Sequence, residues 1–121
     1  MPRISANGIE IEYATRGSPS DPPLLLISGS TAQMLRWPHS LVQGLAATGR
    51  YVIAYDNRDI GLSTEFAGIT PPPPQEIVHA IRGGCPPQHL VPYMLADMAA
   101  DAAGLLGALG IEKADIFGTS M

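Results

Sequence analysis

The chain has 121 residues, enough for one domain of ordinary size and too few for two. Hydrophobic residues make up 45 % of it and charged residues 15 %, against about 25 % charged in an average globular protein, which excludes disorder over most of its length. Seven basic and eleven acidic residues leave a net charge of −4 with no Lys/Arg run, so the positive footprint that nucleic acid or an anionic membrane surface needs is missing.

Cys85 is the single cysteine, so no internal disulfide is expected, and no Cys/His cluster has metal-ligand spacing. Neither a metal nor a cofactor is called for. Met1-Pro2-Arg3-Ile4 lacks the apolar core of a signal peptide, and no apolar run approaches the roughly 20 residues of a membrane helix. These features predict a cytoplasmic protein with no nucleic-acid or membrane partner.

In chain order, residues 4–6 and 9–13 alternate apolar and polar around Asn7-Gly8, the favoured two-residue hairpin dipeptide, and predict an antiparallel β-hairpin. Leu24-Leu25-Leu26-Ile27 is a continuous apolar run, as in a strand buried on both faces of a parallel sheet. Leu41, Val42, Leu45 and Ala46 then recur at helical spacing and stop before Gly49. Tyr51 to Tyr55 is the next buried strand, closed by the polar Asp56-Asn57-Arg58-Asp59.

Seven of the twelve prolines fall between residues 71 and 92, so about 66–93 reads as an irregular proline-rich insertion. Beyond it, Leu95, Met98, Ala99, Ala102, Leu105, Leu106 and Leu109 form a helical apolar stripe that ends at Gly110, with Asp97 and Asp101 placed to favour the helix dipole. Ala114-Asp115-Ile116-Phe117 is a last short strand. The alternation of strands and helices is an α/β pattern, and right-handed crossovers place the three buried strands parallel in one sheet.

Gly118-Thr119-Ser120-Met121 matches the first four positions of the Gly-x-Ser-x-Gly nucleophile elbow, in which a serine is held at a strained strand-to-helix turn between small neighbours. Ser28-Gly29-Ser30-Thr31 stands at the C-terminal end of an earlier buried strand, the edge of an open parallel sheet where ligands bind. Each stretch taken alone also fits an ordinary turn.

Asp56-Asn57-Arg58-Asp59-Ile60-Gly61-Leu62-Ser63 resembles the Asp-x-Arg-Gly-x-Gly-x-Ser turn that follows the fourth strand of α/β-hydrolases. Taken with Ser28-Gly29-Ser30, Trp37-Pro38, the helix Met98 to Leu109 and Gly118-Thr119-Ser120-Met121, it resembles the N-terminal half of a bacterial serine α/β-hydrolase. Arg58-Asp59 in place of Arg-Gly is a variant shared by the aclacinomycin methylesterase-like branch. The resemblance implies a mostly parallel sheet with an N-terminal antiparallel hairpin and a carboxylic ester hydrolase working through an acyl-enzyme. Ser120 is then the nucleophile, backbone N–H groups of Ser30 and Met121 form the oxyanion hole, and Gly29 and Gly118 support them. Met34 and Trp37 either face the substrate or pack in the core. Ser28 stands where the family often has histidine, so the contacts that support this loop must differ.

The family places its acid and histidine after the serine. His39, His79 and His89 all precede Ser120 and read as surface or loop residues, Cys85 as a small apolar filler, and Arg58 with Asp59 as a structural pair tying the turn to neighbouring backbone. The expectation is therefore residues 1–121 as the N-terminal part of one domain of about 250–300 residues, inactive alone and completed by a C-terminal segment or second chain that carries the acid and histidine. The competing expectation is a non-catalytic ligand- or partner-binding protein of the same fold, or an inactive fragment.

Overall fold

The computed structural model describes residues 2–29, 32–64, 73–84 and 93–120. Two strands, β1 (Arg3–Ala6) and β2 (Ile9–Arg16), form the N-terminal hairpin, with Ala6 opposite Ile9. Asn7 and Gly8 both have positive φ, 50° and 77°, the geometry that a tight hairpin turn matching strand twist requires. β2 then pairs antiparallel with β4 (Tyr51–Tyr55), which lies parallel to β3 (Pro23–Ile27), and β3 lies parallel to β5 (Asp115–Gly118). The five-stranded order β1-β2-β4-β3-β5 puts the three apolar runs side by side and parallel, as their sequence predicts.

The central strands are apolar throughout because both faces are covered. Leu25 and Ile53 point to one side, where Ala102 and Leu105 of α3 (Leu95–Ala108) close over them with Ile11 and Tyr55. Leu24, Leu26, Val52 and Ala54 point to the other, under Met34 and the Val42 and Leu45 stripe of α1 (His39–Ala47). Burying such a side chain contributes about 1.5–3 kcal/mol. Gly49 and Gly110, at φ 86° and 75°, follow the two helices as expected.

Three expectations need correction. Within the stretch read as irregular, Pro74–Arg82 forms helix α2, because Pro74 occupies the first turn, where the missing N–H costs nothing. The α3 stripe is buried only over its second half: Leu95 and Ala99 are exposed among the described residues. Asp101 is fully buried instead of serving the dipole at the surface, and it is an ion-pair partner. β5 is an edge strand of the described sheet, with Ile116 54 % and Phe117 47 % exposed. Among the described residues no helix is long and apolar enough to cross a membrane.

Candidate active site

Parallel pairing of β3 and β5 brings two loops out at the same end of the sheet. The register sets Ile27 beside Gly118, and one residue on the Thr119 N–H donates to the Ile27 carbonyl at 3.2 Å. Ser120 follows with φ +57°, in the left-handed region that costs an L-residue about 1–2 kcal/mol. Its side chain is exposed and lies against Gly29: a β-carbon added to Gly29 would stand 2.8 Å from Ser120 Cβ and 2.9 Å from the Thr119 carbonyl oxygen. Glycine at 29 is thus a packing requirement of the elbow. At Gly118, among the described residues, an added carbon meets Ile27 at 3.8 Å, an ordinary contact.

The loop from Ser28 is tied down on three sides. Ser28 Oγ accepts from the Trp37 indole N–H at 3.0 Å, and its carbonyl accepts from Asn57 Nδ2 at 3.1 Å. Ala32 N–H donates to the Gly29 carbonyl at 3.2 Å, and Met34 N–H to Asp56 Oδ1 at 2.8 Å. Trp37 packs against Phe117 with ring centroids 5.8 Å apart. Together with Ser28, Gly29, Ala32, Arg36, Pro38 and Thr119 it lines a cleft of about 220 Å³ beside the elbow. Met34 does not line that cleft: it is 4 % exposed, packs with Leu24, Leu26, Val52 and Ala54, and with Trp37 forms part of the wall of a second groove. Ser30 and Met121 lie outside the described residues, as do Cys85 and His89.

The turn after β4 is a buried polar network. Arg58 makes two bonds to Asp101, 2.7 and 2.8 Å, and Asn7 Nδ2 adds a third to the same carboxylate at 2.9 Å. Asp59 is not the partner of Arg58 in that pair; it accepts from the Tyr93 hydroxyl at 2.7 Å, and the Tyr93 ring lies 4.8 Å from the Arg58 guanidinium. Hydrogen bonding to Asp101 raises the Arg58 pKa above its ordinary value. Burial, and secondarily the Asp101 charge, pushes the Tyr55 phenol up to about 12. Burial first, then donation to Asp59, pushes Tyr93 up to about 12 as well. Ser63 Oγ closes the turn on the Asp56 carbonyl at 2.6 Å.

Sequence reading missed Asp101, Asn7, Asp56 and Asn57 as a set. The available signal was four consecutive polar residues directly after a buried strand, of which the three that are buried must each find a partner. His39 opens α1 and lines that second groove, of about 330 Å³, with Arg16, Arg36 and Val42, while His79 lies in α2. Among the described residues neither is hydrogen-bonded to Ser120, and no cluster of His, Cys, Asp and Glu is arranged to hold a metal.

No protein-family model matches the chain. It is 33 % identical over 105 residues to rhodomycin D methylesterase DauP of Streptomyces sp. (strain C5), covering 87 % of this chain and 28 % of the relative. Among solved structures, an α/β hydrolase fold protein from Chitinophaga pinensis superposes with TM-score 0.69 at 31 % identity, over 98 % of this chain and 34 % of that one. Epoxide hydrolase A from Mycobacterium thermoresistibile gives TM-score 0.70 at 26 % identity, over 98 % and 30 %. The chain therefore spans about a third or less of these relatives, a smaller share than the half its length suggests. On strand order, register and these likenesses together, the chain belongs to the α/β-hydrolase superfamily and carries an N-terminal part of its fold.

Proposed function

We propose that the chain supplies the nucleophile and oxyanion loop of a serine hydrolase acting on carboxylic esters. The observation that carries this reading is the exposed Ser120 hydroxyl on a left-handed hinge, packed against Gly29 beside a cleft. Ser120 Oγ forms a bond to the ester carbonyl carbon while its proton passes to a histidine. The C–O bond to the alcohol then breaks, and the alcohol leaves with that proton. Water repeats the sequence to free the acid. Backbone N–H groups of Ser30 and Met121 hold the oxyanion in this scheme. The histidine and its acid come from a C-terminal complement, which adds to the sheet beside β5.

The kinship with a methylesterase favours a methyl or other small alkyl ester as substrate. Serine at position 120, where epoxide hydrolases of this fold use aspartate, favours esters over epoxides. A cytoplasmic location belongs to the same reading, on composition alone. The test is a fluorophosphonate probe on the chain assembled with its complement, the label being located by mass. Modification of Ser120 is expected. A folded assembly that stays unlabelled would replace the esterase with a ligand-binding protein of the same fold.

A further inference from the structure

We infer that Asp56 and Asn57 are positioning residues for the reaction at Ser120, holding Ser28 and Met34 in place beside the elbow; this rests on the reading of Ser120 as nucleophile. The two side chains are consecutive on one turn, yet they grip main-chain groups six residues apart with opposite polarity. Asn57 donates to the Ser28 carbonyl at 3.1 Å, and Asp56 accepts the Met34 N–H at 2.8 Å. Both side chains are buried, 3 % and 4 % exposed, so water does not compete for these bonds.

Ser28 immediately precedes Gly29, the residue whose Cα faces Ser120. The bond from Asn57 therefore sets the gap between loop and nucleophile without touching either reacting atom. Asp56 fixes the Met34 end of the same connection. The turn itself cannot drift. Asp56 N–H donates to the Glu12 carbonyl at 3.0 Å, Ser63 Oγ holds the Asp56 carbonyl at 2.6 Å, and Arg58 is bonded twice to Asp101. Ser28 and Met34 are thus anchored to a turn that is itself fixed to the sheet and α3, and groups fixed in advance are what oxyanion stabilisation draws its strength from.

The experiment compares isosteric variants in the assembled hydrolase, reading fluorophosphonate labelling of Ser120 and turnover of 4-nitrophenyl acetate, each per folded molecule. Asn57→Asp removes the donor and sets an acceptor against the Ser28 carbonyl. It is expected to slow labelling and kcat about 100-fold with KM within about twofold of the unsubstituted protein, since displacement near 1 Å costs that much in rate. Asp56→Asn keeps the oxygen that accepts from Met34 and is expected to label within about threefold of the parent. If Asn57→Asp does not fold, Asn57→Ala serves with the same expectation. A purely structural role would lower melting temperature in these variants while leaving the labelling rate of folded molecules unchanged, and that result overturns the proposal while Ser120 labelling in the parent keeps the nucleophile reading. A parent that folds but is not labelled overturns both.

Discussion

Gly29→Ala tests whether the loop and the elbow are fitted to each other. The added carbon would stand 2.8 Å from Ser120 Cβ, 2.9 Å from the Thr119 carbonyl oxygen and 3.3 Å from Ser120 Oγ, where ordinary contact begins at 3.4 Å. The shortfall at the closest atom is about 0.6 Å. Neither a β-carbon nor a carbonyl oxygen can swing aside, so the backbone of one loop has to move. Overpacking of this kind costs about 1–3 kcal/mol of stability. A displacement somewhat under 1 Å at the nucleophile costs about 10- to 100-fold in rate, equivalent to roughly 1.4–2.7 kcal/mol in the barrier. The assay is the rate of fluorophosphonate labelling of the assembled hydrolase, alongside urea denaturation. Gly118→Ala is the comparison, because its carbon meets Ile27 at 3.8 Å. Labelling of Gly29→Ala at the parent rate, or a larger loss in Gly118→Ala, would refute the proposed fit.

Asp101→Ala leaves the buried Arg58 guanidinium without its carboxylate and is expected to lower unfolding free energy by about 3–5 kcal/mol, measured by urea denaturation. Tyr55 ties stability to alkaline pH. Its folded pKa, about 12, lies above the ordinary 10, so its contribution is whole below pH 10 and is lost between pH 10 and 12, on the order of 3 kcal/mol; melting temperature across that window should fall less in Tyr55→Phe. Ser120→Gly is expected to be about 1–2 kcal/mol more stable than Ser120→Ala, since only glycine relieves a left-handed φ; equal melting temperatures would remove the strain.

The elements that could be read from sequence are those whose signal is local. Asn7-Gly8 announces its turn, and the apolar runs 24–27 and 51–55 announce strands covered on both faces, because each is decided by residues next to one another. α2 escaped because its prolines were counted as breakers, although a proline in the first helical turn is harmless and Glu76 to Ile81 carries the helical pattern. The polar site was legible only in part. Asn7 and Asp101 are 94 residues apart, and Arg58 and Asp101 are 43 apart. Nothing in the spacing of an aspartate four residues after Asp97 distinguishes a surface charge from a buried partner. What decides it is the rotation of α3, which turns the Leu105 face and Asp101 toward the sheet and leaves Leu95 outside.

The conformation of Ser120 supports a functional reading of the elbow over an ordinary connection. Three described non-glycine residues have positive φ: Asn7, Asp59 and Ser120. Asn and Asp tolerate this region, and both side chains here have partners, Asn7 on Asp101 and Asp59 under the Tyr93 hydroxyl. Serine has no such preference, and its side chain is exposed, so packing of the hydroxyl does not repay the roughly 1–2 kcal/mol. What holds it is external: the β3–β5 register, the Thr119 bond to Ile27 and the contact with Gly29. Six described glycines already occupy left-handed positions in this chain, so the inexpensive solution for a turn is used freely elsewhere. A serine kept at such a position, on the loop-facing end of a parallel sheet and beside a cleft, fits the proposed nucleophile, for which stored strain would present the hydroxyl.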